Sequence, residues 1–106
     1  MIETKVQKII GMLDNLLEQV KNTYVYNPDI YKDVRDVQVQ IVLLAKELKN
    51  PECKKVLHRA FQELSDAYYT IRWYGKQEKR LVVKTAKCKF KIAKELVSAI
   101  TPETCA

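Results

Sequence analysis

Apolar residues recur every three to four positions along this chain, in four runs of similar length. In the first run Ile2, Val6, Ile9, Leu13, Leu16, Leu17, Val20 and Tyr24 share a face at ~100° per residue, the period of an amphipathic helix. The second run carries Ile30, Val34, Val37, Ile41, Leu44 and Leu48, and the third Cys53, Leu57, Ala60, Leu64, Ala67 and Ile71. The fourth places Leu81, Thr85, Cys88, Ile92, Ala93, Leu96 and Ile100 opposite a row of cations. The predicted helices span about 2–24, 28–49, 51–74 and 76–100.

Punctuation between the runs agrees. Asn27-Pro28-Asp29 and Asn50-Pro51-Glu52 each offer a capping asparagine, a proline at the first helical position and an acid in the first turn. Gly75 follows YYTIRWY, where a helix can close in the left-handed conformation. Thr101-Pro102-Glu103 repeats the cap pattern, but so few residues follow that it reads as a stop.

Two stretches compete for strand. DVQVQIVLL, within 36–44, alternates and is β-branched, yet it lies between helix start and stop signals and is read as helix. KRLVVKTAKCKFKIAKEL, residues 79–96, alternates lysine with apolar residues over KCKFKI. No Gly, Pro, Asn or Asp interrupts 76–100, and such a run exceeds the usual length of a strand. The helical period sorts the whole segment, whereas the strand period sorts only its middle. The fold expected is all-α: an antiparallel up-down four-helix bundle in one domain, 1–100, followed by a short tail, 101–106.

Composition adds to this reading without altering it. The chain is 47% apolar and 30% charged, a globular balance, and its two glycines and three prolines are too few for a fold built on tight turns. The longest uninterrupted apolar run is Ile41–Ala45, so no membrane span is expected, and no membrane partner either, because the fourth helix needs its apolar face for the core. The amino end has no secretory pattern. Cys53, Cys88 and Cys105 lack short paired spacing and are read as reduced thiols, the first two in the core and the third in the tail. Together these suggest a cytoplasmic protein.

The charge is uneven. Of a net +6, residues 1–75 contribute +1 and residues 76–106 contribute +5. Lys76, Arg80, Lys84, Lys87, Lys91 and Lys94 fall within an arc of roughly 80° on the fourth helix. A solvated lysine face is the bland account of such a stripe. The functional account is a track for nucleic-acid phosphates, DNA or RNA, contacted without reading bases, because lysine acts as a point charge. Lys89 falls outside the stripe, beside Ile92 and Leu96, and must snorkel or find a partner.

Two further surfaces stand out. Tyr69 and Trp73 project from the polar side of the third helix. With Arg72 they would extend the stripe into an aromatic pole, shared with Tyr24, Tyr26, Tyr31, Tyr68 and Tyr74 and able to stack bases. On the second helix Val39, Val42 and Leu43 point away from the main apolar face, which suggests a homodimer contact. The rival to nucleic-acid binding is therefore a protein–protein module that uses the aromatic pole or this patch, with the lysines docking an acidic partner. No catalytic residues, metal ligands or cofactor site are expected. His58 is the sole histidine, its nearest acids Glu63 and Asp66 are not one turn away, and no phosphate loop or nucleophile motif occurs.

Overall fold

The structure, a computed structural model, describes residues 1–20, 29–74, 76 and 79–106. The described residues form five helices and no strand: α1 (Ile2–Gln19), α2 (Asp29–Glu47), α3 (Pro51–Tyr74), α4 (Lys79–Ser98) and α5 (Pro102–Cys105). The expected continuation of the first helix to Tyr24, the Asn27-Pro28 cap and Gly75 lie outside the described residues. The alternating DVQVQIVLL stretch is helical throughout.

Local chemistry explains the visible ends. Asn50 Oδ1 accepts from the Glu52 backbone N–H at 2.9 Å, capping α3 as its position before Pro51 predicts. Ser98 Oγ donates back to the Lys94 carbonyl at 2.7 Å as α4 closes, short of the expected residue 100. Thr101 then caps a further turn instead of marking a stop, its hydroxyl accepting from Thr104 N–H, and the tail becomes α5.

α1 packs on α2 and α4, and α3 packs on the same two. The whole is elongated, 43 × 19 × 18 Å. All six apolar positions expected on α2 and all six on α3 are buried, and from α1 Val6, Ile9, Leu13 and Leu16 join them, with Val20 just beyond its end. Contacts between helix ends fix the neighbours. Lys5 pairs with Glu47, Gln19 donates to Asp33 at 3.0 Å, and the Tyr31 hydroxyl donates to the Ile71 carbonyl at 3.3 Å.

Two expectations about cysteine are corrected. Cys53 and Cys105 are not separate thiols but a disulfide, with Cα atoms 5.6 Å apart. Cys88 is exposed and not a core residue. The link holds α5 against the start of α3, where the Cys105 carbonyl accepts from the Lys49 and Asn50 backbone N–H groups. Two cysteines 52 positions apart meet only because the last residues fold back, which linear spacing does not reveal. The pairing withdraws the cysteine argument for a reducing compartment. Among the described residues no helix is long and apolar enough to cross a membrane.

Candidate functional site

The basic helix is the first place to look, and its buried face is not the one expected. Val82, Ala86, Phe90, Ala93 and Val97 are its buried residues, whereas Leu81 is 53% exposed and Cys88 lies at the surface. Of the seven positions assigned inward, only Ala93 and Ile100 are fully buried. The helix is turned by about 70° from the phase that sets the lysines opposite the core. Phe90 accounts for this. It is the largest side chain to bury, and the small Ala86 and Ala93 beside it let the neighbouring helices close over the ring. Lysine does not need the far side, because its stem can lie along apolar surface while the ammonium reaches water.

The lysines consequently divide between two flanks and an outer edge. On the α3 flank Lys89 Nζ lies 2.9 Å from Glu63 Oε2 and 3.2 Å from Asp66 Oδ2. The Glu63 carboxylate holds the Lys89 ammonium above the ordinary lysine range, against the opposing effect of burial and with help from Asp66. The buried Glu63 Oε2 has no aligned hydrogen-bond donor among the described residues, so the ion pair is what offsets its burial. On the α1 flank Lys94 Nζ meets Asp14 Oδ1 at 2.7 Å, and Lys87 is half-buried. Lys76, Arg80, Lys84 and Lys91 are exposed. Among the described residues Arg80, Lys84 and Lys91 make no ion pair.

A second constellation lies along the seam of α2 and α3. The Arg35 guanidinium sits 3.8 Å from the centroid of the Tyr68 ring and 5.9 Å from that of Tyr69. Tyr68 stands edge-on to both Tyr31 and Tyr69, at 5.6 and 5.2 Å. Arg72 donates to the Tyr68 hydroxyl at 3.2 Å and lies 6.0 Å from the Trp73 ring. Desolvation alone would raise the Tyr68 pKa, but the guanidinium groups of Arg35 and Arg72 outweigh it and bring the phenol below the usual tyrosine range. Trp73 and Tyr69 are 65% and 48% exposed, as expected of outward-facing residues. Tyr24 and Tyr26 lie outside the described residues.

Gln38 pins this seam. Among the described residues it is the one buried polar side chain, and no sequence motif marks it. Its amide donates to the Phe61 carbonyl at 3.0 Å and to Ser65 Oγ at 2.8 Å, while its oxygen accepts from Arg35 at 2.7 Å. Its place on α2, at the edge of the apolar stripe toward α3, is the one signal the sequence offered. Arg35 thereby ties the aromatic cluster to Val39, Val42 and Leu43, which are 54, 42 and 43% exposed.

The stripe and the aromatics, expected as one continuous surface, belong to different seams. Lys94 leans toward α1, whereas Tyr69 and Arg72 gather with Arg35 and Tyr68 between α2 and α3. In sequence the two surfaces come closest between the end of α3 at Tyr74 and Lys76, ahead of α4. Among the described residues no group of three or more His, Cys, Asp and Glu could hold a metal ion.

The molecule is thus a small basic all-helical protein, closed by a disulfide, with a cationic edge and an apolar–aromatic seam. It is 57% identical over 105 residues to "Uncharacterized protein ORF107a" of Acidianus bottle-shaped virus (isolate Italy/Pozzuoli), a match that covers 99% of this chain and 98% of that one, and the chain belongs to that protein's family. No protein-family model and no solved structure matches it.

Proposed function

We propose that this protein binds the phosphate backbone of nucleic acid, without reading sequence, along the outer edge of α4. The observation that carries the reading is the exposure of Arg80, Lys84 and Lys91 with no acidic partner among the described residues, on a segment that contributes most of the chain's charge. From Arg80 to Lys91 the edge runs eleven residues, about 16 Å. Duplex DNA carries one charge per ~1.7 Å, so three phosphate contacts fit that length without bending. Lys94, held by Asp14, counts for less than its place in the stripe suggests.

The fold that presents this edge is read as an antiparallel up-down four-helix bundle. Lys5 with Glu47, Tyr31 with Ile71 and Lys89 with Asp66 support that arrangement by joining helix positions that antiparallel neighbours bring level. The protein is read as a binder and not a catalyst. His58 stands exposed on α3 and pairs with no carboxylate among the described residues.

Binding to random duplex across a salt series tests the proposal. Three contacts predict a log–log slope of affinity on salt of about −3. Changing Arg80, Lys84 and Lys91 together to Glu should reduce affinity by a hundredfold or more and flatten the slope. Binding that ignores both salt and the triple change would remove the reading.

A second reading is a protein–protein module on the α2–α3 seam. Arg35 favours it, because this one side chain joins the exposed aromatics to the Val39/Val42/Leu43 patch, and Tyr, Trp and Arg are the residues enriched at interfaces.

A further inference from the structure

Two cavities, of about 380 and 370 Å³, lie end to end along the α2–α3 seam and share Val42, Lys46 and Phe61. Their floor is apolar. Their walls are charged with one sign only: Arg35 and Lys46 rise from α2 and Lys54 from α3, and no carboxylate lines either cavity. An apolar trough between cationic walls fits a ligand with an apolar face and anionic flanks. From Arg35 to Lys46 the trough runs eleven residues of α2, about 16 Å or three helical turns. Its two sides are fixed in advance, since Gln38 bridges the helices beneath it and positions Arg35. We infer that this groove docks an amphipathic helical segment of a partner protein, its apolar face on Val42 and Phe61 and its flanks acidic. This rests on the second reading above, that the seam binds protein, and is independent of the α4 edge.

Charge decides between this occupant and a second copy of the chain, the dimer first expected from Val39, Val42 and Leu43. A two-fold contact sets a surface against its own copy, so the Arg35, Lys46 and Lys54 side chains of the two copies would crowd together with no carboxylate in the groove to separate them. An acidic helix meets the same residues with opposite charge and offers apolar anchors one turn apart to the floor.

The test uses the whole chain and two labelled helical peptides of about 18 residues, five turns. Both carry leucines at helical spacing; one has glutamates on its flanks and the other lysines. The acidic peptide should bind saturably, at least tenfold tighter than the basic one, and shift the NMR signals of Val42 and Phe61. Changing the exposed Lys46 and Lys54 to Glu should weaken it at least tenfold. Equal binding of the two peptides, or shifts confined to α4, would overturn the inference. So would displacement of the acidic peptide by single-stranded nucleic acid with the same shifts. Sedimentation of the parent and of Val42→Asp separates the remaining cases. A dimer that Val42→Asp splits keeps the seam as a protein-binding face but gives the groove to a second copy. A monomer that binds neither peptide removes both this inference and the reading beneath it.

Discussion

Lys89 is the residue whose place the alternation of KCKFKI obscured, and its environment makes a definite prediction. Two carboxylates from α3 converge on its ammonium, one of them the buried Glu63 Oε2. Lys89→Met should therefore destabilise the fold by about 2 kcal/mol, below the ~3–5 of a fully buried pair because the lysine side chain keeps 27% of its exposure. Lys84→Met, on the exposed edge, should stay within ~0.5 kcal/mol. Urea unfolding of the two variants checks this, and adding Glu63→Met to Lys89→Met should recover part of the loss. Equal costs at 84 and 89 would deny the pair its role. The pH dependence has a definite sign. A lysine whose pKa is raised on folding stabilises fully below its unfolded value and ceases to do so as pH climbs through the folded one, so the contribution of Lys89 is intact at neutrality and is lost only in strong alkali.

Among the elements, α2 and α3 were legible almost residue by residue, and α4 was not. In α2 and α3 one apolar stripe runs the full length of the helix, which fixes the phase even with Val39, Val42 and Leu43 lying off it on α2. In α4 apolar residues occur nearly all round, interleaved with lysines, so in the sequence only the row of cations selects a phase. That choice assumes a lysine must oppose the core, and both Lys89 and Lys94 refute it by lying on the flanks with acids from α3 and α1. Size was the better guide. Phe90→Ala should cost about 3–5 kcal/mol as a buried aromatic truncation, whereas Leu81→Ala, at a position 53% exposed, should cost under about 1. Thermal or urea unfolding distinguishes them, and the phase assigned from the lysine stripe predicts the reverse order. The disulfide and α5 were hidden for a different reason. They depend on the chain's last turn returning to the start of α3, a tertiary event with no periodic signal.

Across the whole molecule the separation of surfaces carries the most consequence. A single stripe running from the lysines into the aromatics would make nucleic acid stack on Tyr69 and Trp73 while its phosphates follow α4. The structure instead gathers Tyr69, Tyr68 and Arg72 around Arg35 on the α2–α3 seam, and turns the lysine edge toward α1. Sites without shared partners act additively on free energy. Charge reversal of Arg80, Lys84 and Lys91 should thus reduce duplex binding while leaving the affinity for the acidic peptide within about twofold, the small change expected once long-range attraction is screened at 0.15 M salt. Val42→Asp should do the opposite, abolishing the peptide shifts with duplex affinity unchanged within the same margin. The combined variant should show the two losses side by side, with a coupling energy below about 0.5 kcal/mol. Titration of each variant with both ligands supplies the cycle. A larger coupling would mean that the two surfaces act together, and would bring the aromatics back into the nucleic-acid site.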